Sequence, residues 1–573
     1  MKNIFSFIVV LLIGAALMQH RLTHVEADPK APLKVTDWDC LGYYMYLPGI
    51  FIYNDITTYK WMSEIEQKYR MQGGDFYQGS LQPNGNYAGK YLCGIAIMQA
   101  PFFLAAHALA EPLGYPADGF SPPYQWSVAF AAIVWAMLGL FVLRRFLLIY
   151  YDDVSIAISL LLLCLATNLI QYAAVDSGLS HAYIFALYPL VLFTTKKWHD
   201  QPKGIYALIT GFIIGFATMS RPTEAVMLFI PLMWNTHNAT AAKLKWQSVR
   251  QHRSHIVLAV IGGLAGIMPQ LIYWKYVTGS WIYDVGSAWD FLTPHVRVLT
   301  GWEKGWFIYT PITIFFIVGM FFMKNQPFRK SVLWFCLLNI YIIISWRDWT
   351  YGGSFSTRAL VQSYPVFALP FTTFVHYAGR HRWKWLFYAL GLYLVVVNFF
   401  QHDQYFKTIL HYNDMNRLYC SRIYLNPSPT ALDMSMLDNT DILSNIKSYK
   451  QRSILSQPAE TPLRSNAGDS ARVVNIPYTP KTKDSWIKVE CHIKSINGSW
   501  NGFLSSKLAG GTEAKFNRVR LVHPLYQHEQ YTPYAFYIDV PDNYKNGQLD
   551  LYIKAPDGYD GNIKDVTITE YSK

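Results

Sequence analysis

Long apolar runs alternate with short polar connections over the first four hundred residues of the chain, and they stop after Gln401. A bilayer core needs about 20 mostly apolar residues per helix. By that measure, runs fall at residues 4–18, 126–143, 154–173, 178–195, 205–220, 223–234, 256–276, 306–323, 331–346, 359–376 and 385–400. They predict about eleven membrane spans. The equally apolar run at 92–110 is read as a helix lying on, or dipping into, the outer face. The first run follows Lys2 as a signal peptide would, but no small-residue cleavage site follows at His20-Arg21-Leu22. It is therefore read as an uncleaved first helix.

Beyond Gln401 the pattern changes. Residues 403–470 are polar and mixed, and read as a linker with short helices. From Arg472 onward short alternating stretches appear at 486–493, 518–522, 535–540, 549–553 and 563–569, bounded by Pro, Gly and Asn. Such strands at regular spacing predict a jelly-roll-like β-sandwich. The expected architecture is a polytopic α-helical membrane domain over 1–400, with a first outer loop at 20–125. A linker over 401–470 and an extracytoplasmic β-sandwich over 471–573 complete it. No repeat of solenoid or propeller length is visible.

Composition agrees. Of 573 residues, 52% are hydrophobic and 15% charged, against about 25% charged in ordinary globular proteins. That excludes a disordered or fibrous chain. The net charge of +12 would suit nucleic acid if it were spread evenly. It is not: residues 401–573 hold 20 Lys and Arg against 18 Asp and Glu, so the excess lies among the apolar runs. No nucleic-acid partner is expected; membrane lipids are. Lys and Arg accumulate in cytoplasmic loops. With the N-terminus inside, those loops carry Arg144 and Arg145, Lys196, Lys197 and Lys203, Lys243 to Arg253, Lys324 to Lys330, and Arg380 to Lys384. The expectation is a bacterial multi-pass inner-membrane protein with the C-terminal domain periplasmic. Six cysteines are too few and scattered for a disulfide scaffold, and no C-x-x-C occurs. Cys164 and Cys336 fall inside predicted spans; Cys40, Cys93, Cys420 and Cys491 fall outside, where an oxidising compartment permits pairing, with Cys40–Cys93 the favoured pair.

The same topology gathers the chemically capable residues on the outer face. Asp37 and Asp39 lie two residues apart just beyond the first helix, and act either as a solvated pair or as acid, base or cation ligands. Lys90 precedes the 92–110 run and suits either a phosphate or an interfacial anchor. Asp176 caps the next helix or faces Asp39 as an active-site acid. His181 follows it as a cavity-lining or structural histidine. Arg221 in Ser220-Arg221-Pro222-Thr223-Glu224 offers a fork for two phosphate oxygens, or pairs with Glu224. Trp302, Trp349 and Tyr351 supply faces for stacking on a sugar, although the interfacial belt uses the same residues. Arg358 closes the run Gly352-Gly353-Ser354-Phe355-Ser356-Thr357-Arg358 and is the favoured phosphate contact there.

These residues resemble polytopic glycosyltransferases of the GT-C superfamily, among them protein O-mannosyltransferases and aminoarabinose transferases. Asp39 with Tyr43 four residues later, Lys90 before an apolar helix, and Asp176 as a second acid match that class. So do Lys90-Tyr91-Leu92-Cys93-Gly94, Ala100-Pro101-Phe102-Phe103, Ser180-His181-Ala182, Arg221-Pro222-Thr223 and the segment ending at Arg358. The resemblance covers about residues 1–420 and is closest to putative bacterial members. It implies transfer of a hexosyl or pentosyl unit from a polyprenyl phosphate donor to a lipid, glycan or protein hydroxyl. Asp39 and Asp176 would be catalytic, Lys90, Arg221 and Arg358 would bind the donor phosphate, and Asp37, Tyr43, His181, Trp302, Trp349 and Tyr351 would line the site. Relatives often carry Glu after the first Asp, where this chain has Cys40; a divalent metal at Asp37, Asp39 and Asp176 is the one cofactor left open. The rival readings are a transporter or lipid-linked-sugar flippase, and a non-catalytic scaffold for surface assembly.

Overall fold

The computed structural model describes residues 3–25, 33–74, 76–496, 502–510, 514–527 and 529–573. Residues 26–32 and 75 of the expected outer loop lie outside them. The chain divides into two compact units, 1–399 and 400–573.

In the first unit the apolar runs become helices: α1 Ile4–Thr23, α2 Trp38–Tyr44 in the outer loop, α3 Gly94–Ala110, α4 Pro122–Leu147, α5 Asp153–Leu165, α6 His181–Asp200, α7 Gly204–Ser220, α8 Arg253–Thr278, α9 Arg329–Ile344, α10 Tyr364–Ala378 and α11 Lys384–Phe406. Among the described residues, α1, α4, α8 and α11 are long and apolar enough to cross a membrane; five further apolar helices are shorter. The expected eleven full spans therefore meet interrupted ones. The 306–323 run is four short pieces, Trp306–Tyr309, Pro311–Thr313, Ile314–Gly319 and Met320–Phe322. Pro311 lacks an N–H and disfavours helix in the residue before it. Pro222 likewise opens a 3₁₀ turn, Pro222–Leu228, where a span was expected from 223. Hydropathy counts residues and does not register such breaks.

Packing is closest between α7 and α8. A Cβ on Gly211 would lie 1.9 Å from the Ala259 carbonyl oxygen, and one on Gly215 2.1 Å from that of Gly263. Small residues let helix backbones approach where lipid supplies no hydrophobic drive. The interior is aromatic, with Tyr172, Tyr183, Tyr188, Trp306 and Tyr364 fully buried. Their polar atoms are paired: Trp306 Nε1 donates to Tyr364 Oη at 3.0 Å, and Tyr364 Oη to Asn168 Oδ1 at 2.6 Å.

The second unit is an antiparallel β-sandwich. Its strands are β1 Lys450–Gln457, β2 Thr461–Ser465, β3 Ser470–Tyr478, β4 Ser485–Ser495, β5 Phe503–Ala509, β6 Lys515–Arg520, β7 Thr532–Asp539, β8 Gly547–Lys554 and β9 Tyr559–Ser572. One sheet has the order β3-β8-β5-β6; the other runs β1-β9-β4-β7, with β2 also paired to β9. Strict alternation along β4 buries Ile487, Val489, Cys491 and Ile493 against Leu504, Leu549, Leu551 and Phe536. The period of two is what lets one face of each strand enter that core. The expected linker is corrected at its C-terminal end. β1 and β2 belong to the sandwich, and the chain before them is tied down: Arg520 Nη2 bonds Asp438 Oδ1 at 2.7 Å, and Asn517 Nδ2 donates to Asp441 Oδ2 at 2.8 Å. β1 is polar at six of its eight positions and only partly buried, so its sequence lacks the alternation that marks the other strands.

Candidate active site

A cavity of about 450 Å³ opens in the helical unit, and four of the stretches that line it supply Asp39, Lys90, Arg358 and Arg221. The first is α2. Asp39 lies in its first turn, with its side chain one-third exposed. The second follows a two-stranded ribbon, Gly79–Leu81 with Tyr87–Gly89, which delivers Lys90 and Tyr91 to the cavity. The Tyr91 ring lies across the α2 backbone, where a Cβ on Gly42 would meet it at 2.0 Å. Tyr91 Oη then donates to Asp39 Oδ1 at 2.7 Å, and Tyr43 packs edge-on against the Tyr91 ring at 4.8 Å.

The third stretch is the loop ending in Arg358. It turns through left-handed conformations at Tyr351, Gly352 and Ser356. Lys304, 2% exposed, donates to the Gly352 carbonyl and to Ser354 Oγ at 2.9 Å. Thr357 Oγ1 donates to the Val298 carbonyl, and Tyr172 Oη to the Phe355 carbonyl. This bracing sets Arg358 Nη2 2.6 Å from Asp39 Oδ2. The fourth stretch is the turn after α7, carrying Arg221, with His181 behind it. His181 Nδ1 lies 2.8 Å from Gln362 Oε1, and Gln362 Nε2 donates to Glu224 Oε1 at 3.1 Å. Glu224, also bonded by Tyr188, is thus satisfied from within, and the Arg221 guanidinium makes no hydrogen bond or ion pair among the described residues. Lys90 makes no ion pair there either; its ammonium lies 5.8 Å from the Tyr77 ring centre.

Seven residues singled out from sequence line this cavity: Asp39, Tyr43, Lys90, His181, Arg221, Tyr351 and Arg358. Four do not. Asp37 stands at the position before α2, in extended backbone and with no capping bond from its side chain to that helix. Trp302 and Trp349 lie elsewhere, Trp349 with its face 3.7 Å from the Arg297 guanidinium carbon. Asp176 accepts from Gln171 Nε2 at 3.2 Å. Asp37, Asp39 and Asp176 nonetheless all bear on the Cys40 thiol, which burial and then these three carboxylates hold well above its usual range. The turn after Asp176 is pressed onto α2 because Gly178 has no side chain; a Cβ there would meet Cys40 Sγ at 2.8 Å. The expected Cys40–Cys93 pairing is absent: both thiols are free and buried, Cys93 Sγ lying 3.9 Å from Met219 Sδ. Sequence reasoning missed Tyr91, Gln362, Trp274, Trp289 and Asp284 on the cavity wall. Adjacency to Lys90 was the one signal available for Tyr91.

Electrostatics follow from this placement. Burial pushes the Asp39 carboxyl upward, but the Arg358 charge and the hydrogen bonds from Tyr91 and Arg358 outweigh it and hold it below the usual range. Asp176 is raised by burial, against Gln171, Arg358 and Arg21. Among the described residues no group of three His, Cys, Asp or Glu is arranged to hold a metal. Asp39 accepts one hydrogen bond at each oxygen, from Tyr91 and from Arg358, and Asp37 and Asp176 do not line its cavity.

No family model matches the chain, and no curated protein is similar to it at the level of sequence. Solved structures are. ArnT from Cupriavidus metallidurans is 12% identical, with a TM-score of 0.44 over 73% of this chain and 68% of its own. The oligosaccharyltransferase of Archaeoglobus fulgidus is 11% identical, with a TM-score of 0.41 over 74% of this chain and 58% of its own. The arabinosyltransferase EmbB from Mycobacterium smegmatis is 10% identical, with a TM-score of 0.36 over 99% of this chain and 65% of its own. These neighbours are GT-C glycosyltransferases, the class the sequence resembles. At such TM-scores the likeness carries no argument about chemistry, which rests on the cavity itself.

Proposed function

We propose that the chain is a membrane glycosyltransferase that moves a sugar from a polyprenyl phosphate donor to an acceptor hydroxyl. The observation that carries this reading is the Asp39 carboxylate sharing a cavity with three cations, Lys90, Arg221 and Arg358, with Asp284 as the second carboxylate on its wall. Two of the cations have no counter-ion in the described residues and suit a phosphate. In the reaction the acceptor oxygen attacks the anomeric carbon, the bond from that carbon to the phosphate oxygen breaks, and the phosphate leaves with the electron pair. Lys90 and Arg221 stabilise the charge that develops on it. Asp39 takes the acceptor proton. Arg358 and Tyr91 hold the carboxylate in place and ionised; a phosphate that draws Arg358 toward itself would free Oδ2 for the proton. Trp274, Trp289 and Trp346 on the wall offer faces to sugar rings.

The test is release of polyprenyl phosphate and labelling of an acceptor by purified protein given a labelled polyprenyl-phosphate sugar. Transfer by wild type that Asp39→Asn abolishes is expected. No release from hexosyl or pentosyl donors by folded protein would overturn the proposal.

A further inference from the structure

A second concavity, of about 530 Å³, lies along α7 and α8, apart from the cavity just described. Gly211, Gly215 and Gly263 leave its floor bare, and Ile214, Val260 and Ile267 form its sides. The two helices run in the same direction here, since Gly211 meets Ala259 and Gly215 meets Gly263. From Ile267 to His255 the groove therefore follows about 18 Å of helix at 1.5 Å per residue. That is close to the depth of one leaflet, half of a hydrocarbon core about 30 Å thick.

Its one charged side chain and its tryptophan and histidine rings gather at one end, where Lys245, Trp198 and His255 line it, while Thr210 and Thr218 lie farther along α7. Lys245 is 6% exposed. Its ammonium donates to the Pro231 carbonyl at 2.8 Å and to the Leu232 carbonyl and lies 5.1 Å from the Trp246 ring centre, which leaves one of three N–H groups without an acceptor atom among the described residues. Among the described residues no carboxylate pairs with it, and burial brings it down to about 8. A buried cation without an anion is costly, and an anion that arrives with the ligand removes that cost. Lys245 sits on the helix Ala239–Gln251, where Leu244 and Trp246 are exposed on either side of it. From 239 to 253 the chain carries Lys243, Lys245, Arg250 and Arg253 and no acid. A basic helix with exposed apolar residues is suited to the headgroup level of a bilayer.

We infer that this groove binds an anionic phospholipid, with its phosphate at Lys245 and an acyl chain along the bare glycine line between α7 and α8. The inference does not depend on the proposed transfer reaction.

The experiment is native mass spectrometry of the full chain offered phosphatidylglycerol, phosphatidylcholine and undecaprenyl phosphate in equimolar competition. Preferential retention of phosphatidylglycerol is expected. Lys245→Gln keeps an amide for the two carbonyls but loses the charge, and should weaken retention by about tenfold, the loss of one charge-assisted bond. Val260→Trp, at a position 57% exposed, should fill the groove and abolish retention with an unchanged melting temperature. If Lys245→Gln does not fold, joint replacement of Lys243, Arg250 and Arg253 by Gln carries the charge test, with weaker retention expected. Equal retention of phosphatidylcholine, wild-type retention by the charge and groove variants, or displacement by undecaprenyl phosphate at equal concentration would each overturn the assignment.

Discussion

Separating Asp39 from Arg358 tests both the site and its chemistry. The two side chains meet at 2.6 Å, with the arginine side chain 11% exposed and the aspartate side chain 32%. Breaking a fully buried pair costs about 3–5 kcal/mol, and an exposed one about 0–1 kcal/mol. With one partner a third in solvent, Asp39→Asn should destabilise the helical unit by about 2 kcal/mol. Arg358→Gln should cost a similar amount, and the double variant clearly less than the two together. Activity should separate them. Asn cannot take the acceptor proton, so Asp39→Asn loses about 10²–10⁴-fold in turnover. Arg358→Gln leaves the base in place but releases it. The guanidinium favours the ionised carboxylate, so the folded state binds the proton less readily than the unfolded state. The stability from the pair is therefore present above the ordinary Asp value of about 3.9 and is lost as pH falls through the lower folded value. In Arg358→Gln the acid limb of the transfer rate moves to higher pH. The assays are denaturant melts and pH profiles of sugar transfer. Additive stability losses, or an Asp39→Asn variant that turns over normally, would refute the reasoning.

Gly42→Ala should act through Tyr91: its new methyl would lie 2.0 Å from the ring, so Tyr91 must swing away from Asp39. Turnover is expected to fall at least as far as in Tyr91→Phe, and equal activity in both variants and wild type would remove Tyr91 from the site. Lys304→Met removes the buried ammonium that bonds the Gly352 carbonyl and Ser354 Oγ and should cost about 1–3 kcal/mol in stability, with lower transfer because Arg358 loses its support. Alkylation after unfolding should give the same mass with and without reduction, because no disulfide joins the cysteines among the described residues. A reporter active only outside the cytoplasm, joined after Lys573, should work if the basic loops face inward; a stable but silent fusion would reverse that topology.

Much of this protein could be read along the chain. The apolar runs fixed where helices lie, because an 18–20-residue stretch without charge has few other ways to satisfy its backbone in lipid. Alternation at 486–493 and 549–553 located sandwich strands, since a period of two buries one face. Asp39, Lys90, Arg221 and Arg358 stood out because the topology read from the basic loops gathers them on one face, in polar segments between the apolar runs. What the chain could not supply was which partners they meet. Asp39 and Arg358 are 319 positions apart, and their contact depends on helix packing and on the loop that Lys304 braces. Lys304 and Trp349 share the composition of a sugar site, yet one holds a loop and the other stacks on Arg297, because side-chain type does not say which way a loop turns. Arg221 and Glu224 read locally as a pair, but folding brings Tyr188 and Gln362 to the carboxylate and leaves the guanidinium to the cavity. Local patterning set the elements; long-range packing, which the sequence encodes only through the whole set of contacts at once, chose the neighbours that make a site.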